Sequence, residues 1–279
     1  MHTPGRLPAV ILICHQRDRL DSVGLASWLA ATMRLVGIIE IAGDGARLRR
    51  VAKRELARGG VLGFLDVLAL RAYARLFLAR ADAAWADAEL ARLRARYPVN
   101  LGAIPTRVVR NPNEETARSF IARLKPDLIV ARCKFILKPE VFTLARAGAF
   151  ALHPGICPEY RNAHGCFWAL ANRDLDRVGM TLLKIDRGVD TGPALLQATC
   201  RFDEVGESHY VIQQRVVFDN LERIWHTLVA AARGEPPAPI DTAGRASAVW
   251  GQPRLTSYLR WKRAARRDRR RAERVPAVS

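Results

Sequence analysis

Two short segments carry side chains whose types and spacing could do chemistry together. Leu152-His153-Pro154-Gly155-Ile156-Cys157-Pro158-Glu159-Tyr160-Arg161 places an imidazole directly before a rigid Pro/Gly turn. Further along, Asp186-Arg187-Gly188-Val189-Asp190-Thr191-Gly192-Pro193 is a tight, glycine-punctuated loop with one carboxylate at its apex. A His and an Asp brought together suit acyl transfer. The carboxylate raises the imidazole pKa and fixes the ring, and a protonated imidazole stabilises a developing oxyanion. The carboxylate then handles the proton lost by an attacking amine.

The elements around these segments must position them. Pro8 to Cys14 reads as a buried strand, Leu20 to Met33 as a helix and Leu35 to Ile41 as a second strand closed by Gly43-Asp44-Gly45. This β-α-β opening implies parallel pairing and a right-handed crossover. About residues 46–97, rich in Ala, Leu and Arg, form a helical excursion broken near Gly59-Gly60, packed on the sheet edge or serving as a lid. Strands follow at Pro105 to Val109, Asp127 to Ala131 and Ala149 to His153, with helices at Asn113 to Leu124, Pro139 to Ala147 and Cys166 to Asn172. The strand ending at His153 puts the imidazole at a carboxyl end, where open α/β sheets bind ligands. Val178 to Ile185 and Ala194 to Phe202 are an antiparallel pair around the Asp190 loop, so both groups are expected at neighbouring strand ends. Ser208 to Arg233 reads as one long helix N-capped by Ser208. Gly234 to Pro239 is a linker, and the chain from Trp250 a basic helical or disordered appendage.

The fold class expected is therefore α/β, a Rossmann-like, mostly parallel sheet with a helical insertion and a basic C-terminal tail. The boundaries are 1–205 for the catalytic domain, 206–234 for a C-terminal helix and 235–279 for a Pro-rich linker and Arg-rich tail. A chain of 279 residues with 49% hydrophobic content can bury one large core. No apolar run approaches the roughly 18 residues needed to span a bilayer, so a cytoplasmic protein with no membrane partner is expected. The odd count of five cysteines, with no CxxC pair, reads as buried or idle thiols. The net charge is +18, of which Arg254 to Arg274 supplies +8 from ten basic and two acidic residues. Tyr258 and Trp261 among those arginines could stack on nucleic acid, but a solvated tail is the favoured account. The remaining positive charge suits anionic ligands.

Taken together, the two segments resemble the formyltransferases that use 10-formyltetrahydrofolate. The pattern in that family is roughly N-x-H-x-S-x-x-P-x-x-R-G followed by D-x-G-x-D-T-G, and the likeness spans about residues 8–205. It implies that His153 and Asp190 are catalytic. It implies folate contacts from Arg132, Phe135, Ile136, Gly188, Val189, Thr191 and Gly192, and substrate contacts from Gly155, Tyr160, Arg161 and Asn162. It also implies formyl transfer from 10-formyltetrahydrofolate, as co-substrate, to a primary amine.

This sequence departs from the pattern at three places. The family Asn two before the His is Ala151, the Ser two after it is Gly155, and the Gly after Arg161 is Asn162. Losing an oxyanion donor costs on the order of 10²–10³ in rate. Asn162 or His164 could point into the vacated space. The His-Pro order at 153–154 looks most like the sugar N-formyltransferases, so the acceptor expected is a small-molecule amine, an amino sugar carried on a nucleotide. The chain after the catalytic domain reads as too short for the second domain of methionyl-tRNA formyltransferases. The alternative is a catalytically impaired protein of this fold that binds folate, nucleotide or RNA. Gly43-x-Gly45 lacks the third glycine of a dinucleotide fingerprint, and His153, His164 and Asp190 have no recognised metal-ligand spacing, so no metal is expected. Oligomeric state stays open.

Overall fold

The computed structural model describes residues 7–43 and 45–274. Asp44 in the expected glycine turn, and the outermost residues of the expected first and last segments (1–6 and 275–279), lie outside them. Seven strands form one sheet in the order β3-β2-β1-β4-β5-β6-β7. They are β1 (Ala9–His15), β2 (Arg34–Ile41), β3 (Thr106–Val109), β4 (Leu128–Arg132), β5 (Gly148–His153), β6 (Gly179–Lys184) and β7 (Ala194–Thr199). The first five run parallel, and β6 and β7 are antiparallel to their neighbours. β1 lies at the centre and is buried from Ala9 to Cys14, which is why its sequence is an unbroken aliphatic run rather than an alternation. The strand order reverses between β1 and β4, the switch point at which open α/β sheets form their crevice.

Side-chain alternation divides the core into two faces. On one, Leu12, Val130, Phe150 and Leu152 pack with Trp28, Phe218 and Leu228. These come from α1 (Ala26–Thr32), α7 (His209–Phe218) and α8 (Leu221–Ala232). On the other, Ile13, Ile39, Ile129 and Ala149 pack with Phe120 and Ile121 of α4 (Glu115–Leu124) and Val141 of α5 (Pro139–Phe142). Because 149, 151 and 153 share a side of β5, His153 faces this second side.

Two expected helices are shorter than the apolar spacing suggests. α5 stops at Phe142, where the Thr143 hydroxyl turns back to the Pro139 carbonyl at 2.6 Å. The expected single helix over 208–233 is two helices. Asn220 separates them, its amide donating to the carbonyls of Val216 and Thr199 at 3.0 and 2.9 Å. Ser208 does cap the first, accepting from Val211 N at 3.2 Å.

The helical excursion consists of α2 (Gly45–Tyr73), a π-helical turn (Ala74–Leu78) and α3 (Ala79–Arg96). α2 is broken at Gly60, whose φ of 65° ends the first half where the glycine pair stands. The excursion neither caps the sheet edge nor forms a detached lid. Leu90 and Leu93 of α3 enter the core beside α1 and α7, while Leu70 of α2 joins a separate cluster against the C-terminal helix.

That helix, α9 (Leu255–Arg274), overturns the expectation of a solvated appendage. Tyr258 and Trp261 are buried with Leu70, Tyr160, Phe167, Trp168 and Ile212, so neither ring is free to stack on nucleic acid. The Trp261 indole donates to Glu204 at 2.8 Å, and the buried Lys262 ammonium donates to backbone carbonyls of the 204–207 turn. The preceding segment is no free linker either. Ile240 N bonds Ala194 O at the outer strand at 2.8 Å, and Arg245 forms a bidentate pair with Glu159 at 2.8 and 2.7 Å. The apolar spacing of 255–265 was hidden by the density of arginine around it.

Candidate active site

His153 ends β5 and is buried. Its Nε2 lies 2.9 Å from the Tyr160 carbonyl, a group that can only accept, so Nε2 carries hydrogen. The other nitrogen, Nδ1, faces Asp190 Oδ1 at 3.6 Å. Nδ1 is therefore the working edge: an acceptor when the ring is neutral and a donor when it is charged. Burial opposes the charged ring, but the Cys157 sulfur, the Asp190 carboxylate and the Tyr160 carbonyl outweigh it, and the pKa is held above the ordinary 6.5. A raised native pKa makes the stabilising contribution full below about 6.5 and removes it as pH rises through the native value.

Asp190 does not come from a neighbouring strand end as expected. β6 is antiparallel to β5, so it runs from Thr181 beside His153 down to Lys184 beside Phe150. The loop that follows thus leaves the far end of β5, and must fold back along the sheet to reach the imidazole. Asp186 organises that return: its Oδ1 accepts from Gly188 N and from the Thr191 hydroxyl, both at 2.9 Å. A Cβ at Gly188 would lie 1.8 Å from the Thr191 oxygen, so only glycine permits this turn. Asp190 sits at φ 51°, a left-handed conformation that Asp tolerates. Its second oxygen accepts from Asn162 N at 2.8 Å.

The His153 loop is held by close packing. A Cβ on Gly155 would lie 2.5 Å from the Tyr160 carbonyl and 2.9 Å from Gly165 Cα. The Thr181 hydroxyl donates to Gly155 O at 2.7 Å and accepts from Cys157 N at 3.0 Å. Tyr160 is buried, with its hydroxyl on Asp174 at 2.9 Å. Gly155 and Tyr160 are therefore committed to holding the loop rather than open to substrate. The C-terminal segment runs alongside: Arg161 N bonds Ala248 O at 3.1 Å, and the Asn162 amide donates to Trp250 O at 2.5 Å. Trp250 stacks between Tyr160 and Trp168, at 5.8 and 4.9 Å between ring centroids.

Beside Asp190 opens a cleft of about 650 Å³. Its lining includes Cys157, Arg161, Thr191 and Gly192 on one side and Pro239 to Ala243 on the other. The Arg161 Nε is buried there with no hydrogen-bond partner. Cys157 is the residue sequence reading missed. Taken as an idle thiol, it adjoins His153 and lines the cleft. Its place one turn after His153 was the available signal.

The remaining expected residues divide between two places. Phe135 packs on the His153 face of the sheet in one cluster with Ile185, and the exposed Ile136 and Val189 stand on the loops after β4 and β6. These apolar surfaces suit a flat heteroaromatic ring. Arg132 is not among them. It points to the opposite face, level with Leu152, where it pairs with Asp21 at 2.6 Å, donates to Gln214 and lies over the Phe218 ring. A guanidinium buried in that network is structural. Ala151 is surrounded by Cys157, Leu183, Ala194 and Ile240. Asn162, a candidate for the vacant donor role, spends its amide on Trp250, and burial lowers the His164 pKa well below its ordinary value. Among the described residues no group of three or more His, Cys, Asp or Glu could hold a metal ion.

The fold and site thus define an open α/β sheet that carries an imidazole–carboxylate pair beside its fifth strand. The chain belongs to the formyl transferase family, whose profile matches residues 82–228. It is 30% identical over 165 residues to the methionyl-tRNA formyltransferase of Chlorobium chlorochromatii (strain CaD3), covering 57% of this chain and 50% of that one. The chain thus spans about half the length of the curated relatives it matches. In fold it is similar to phosphoribosylglycinamide formyltransferase from Anaplasma phagocytophilum, with TM-score 0.51, 14% identity and coverage of 89% and 100% of the two chains. It is also similar to HypX from Aquifex aeolicus, solved in complex with tetrahydrofolic acid, with TM-score 0.50, 15% identity and coverage of 94% and 34%.

Proposed function

We propose that the protein transfers the formyl group of 10-formyltetrahydrofolate to a primary amine, and that the amine belongs to an amino sugar carried on a nucleotide. The observation that carries this reading is the pairing of His153 Nδ1 with Asp190 at 3.6 Å beside the cleft of about 650 Å³. Such a volume lies in the range of small-molecule sites, roughly 300–1,000 Å³. The folate side of the site is the apolar surface of Phe135, Ile136 and Val189, with the 188–192 turn beside it. Bound there, the folate supplies the activated formyl carbon. Arg161, half-buried on the cleft wall, is placed to meet an anionic group such as a nucleotide phosphate.

The residues act in a defined order. Asp190 accepts a proton from the amine as its lone pair forms the new C–N bond. His153, charged at Nδ1, donates to the formyl oxygen as the carbonyl electrons move onto it. The electrons return to re-form the carbonyl, the bond to the folate nitrogen breaks, and that nitrogen takes the proton. The products are a formamide and tetrahydrofolate. Holding both reactants in one cleft supplies much of the acceleration through proximity.

The test is incubation with 10-formyltetrahydrofolate and a panel of amino-sugar nucleotides, following tetrahydrofolate release. His153→Ala or Asp190→Asn should lower kcat by about 10²–10⁴. No turnover with any amine, together with no folate binding by calorimetry, would sink the proposal. The apolar surroundings of Ala151 favour one competing reading, a protein that binds without turning over. Folate binding without release would select it. Ala151→Asn should leave the fold intact and preserve or raise turnover, and abolition of turnover by that change would mean the oxyanion is held differently.

A further inference from the structure

We infer that the outer face of α2 and the turn after it is a docking surface for an anionic lipid bilayer. The inference concerns a region apart from the active site and does not rest on the proposed chemistry. Val61, Leu65, Leu68, Ala72 and Leu76 follow one another at steps of four, three, four and four, one side of a helix. Val61 is 66% exposed, Leu65 52% and Leu76 75%, and Leu62 and Phe77 at the flanks reach 82% and 68%. Scattered exposed aliphatic residues are ordinary, but a continuous stripe of them on one element marks an interaction surface.

Charge identifies the partner. Between positions 49 and 80 stand eight Arg or Lys residues against two acidic ones, Glu55 and Asp66. All eight are exposed, but Arg58 and Arg71 reach to the 249–252 segment, donating to Val249 O at 3.4 Å and Gln252 Oε1 at 3.2 Å, so the positive rim rests on the other six. The acids face inward: Glu55 is buried beside Gly251, and Asp66 accepts from Thr256 N at 3.0 Å. The outer face therefore offers apolar side chains flanked by an excess of positive charge. A second copy of this chain would bring two such charged rims together, which like-charge repulsion opposes. An anionic bilayer receives both features, the aliphatic stripe at the acyl boundary and the arginines among the headgroups. No helix among the described residues is long and apolar enough to cross a membrane, so the contact is interfacial. This revises the expectation of no membrane partner, which rested on the absence of a spanning run.

The experiment is co-sedimentation of the full chain with vesicles of phosphatidylcholine, with and without phosphatidylglycerol. Binding is expected to the mixed vesicles, to weaken with added salt, and to be slight on phosphatidylcholine alone. The double variant Leu65→Asp/Leu76→Asp should lower partitioning at least about tenfold with an unchanged melting curve. In the unmodified protein, amide exchange over residues 61–77 should slow when mixed vesicles are added, a readout that does not depend on any variant folding. Failure to bind the mixed vesicles overturns the inference. So does undiminished binding of a folded double variant, or exchange unaltered over 61–77 in bound protein. A dimer in analytical ultracentrifugation that the double variant dissolves would assign the face to a second copy, and also overturns it.

Discussion

Helices α2 and α9 are written in a similar vocabulary of Ala, Leu and Arg, and they use it in opposite ways. In α9 the arginines stay outside while Tyr258 and Trp261 are driven into the core. In α2 the arginines also stay outside, but so do Val61, Leu62, Leu65 and Leu76. The difference lies in what each inner face meets. α9 lies over α6 (Gly165–Ala171) and α7, which present Phe167, Trp168, His209 and Ile212 to its aromatic rings. Among the described residues α2 meets chiefly α9 and the 249–256 segment, through Val67, Leu70, Glu55 and Asp66, while Val61, Leu65 and Leu76 on its other side stay exposed. Charge density thus says little about which helix is structural. The partner available to the apolar residues decides it.

This contrast can be broken at its strong end first. Trp261→Ala should cost about 3–5 kcal/mol, the range for emptying a buried aromatic site, read from the denaturant midpoint. A cost below about 1 kcal/mol would mean α9 is an accessory after all. His209 comes next. Burial, with the Lys262 charge adding to it, lowers its pKa to about 4 from 6.5, and its Nδ1 has no partner. A depressed His contributes stability above the unfolded value, and that stability is lost as pH falls from 6.5 to 4. His209→Phe should remove about 2–3 kcal/mol of that acid-limb loss. Equal slopes for parent and variant in melting experiments across the window would refute it.

Asn162→Gly tests whether the C-terminal segment reaches the active site. Glycine accepts the φ of 78° and deletes the amide bonded to Trp250. A cost of about 1 kcal/mol is expected, with a lower kcat and little change in folate affinity. Parent-like turnover would show that the segment only covers the loop. Leu65→Gln, at the weak end, should shift stability by no more than about 0.5 kcal/mol. A larger loss on thermal melting would mean that face is already covered.

Much of the central architecture was legible because it depends on local pattern. The unbroken run of β1, the alternation of helices and strands and the antiparallel hairpin all follow from spacing. The His153 and Asp190 pair was legible as two motifs, but its geometry was not. Whether Asp190 reaches His153 from a strand end or by folding back depends on the direction of β6, which sequence periodicity does not carry. Arg132 was misplaced for a related reason: one residue of register exchanges the faces of a sheet. Trp250 and Asn162 could not be paired in advance, since their contact joins distant segments through a backbone carbonyl.

The bridge between 158–162 and 248–250 has a consequence for biogenesis. A ribosome makes His153, its loop and Asp190 well before it makes Trp250, at rates of about 5–20 residues per second. Until the later segment emerges, the Asn162 amide and the ring stack against Tyr160 have nothing to engage. A chain not yet extended to Trp250 therefore lacks the ring that stacks on Tyr160 and Trp168. Completion of this site is therefore a late event in synthesis.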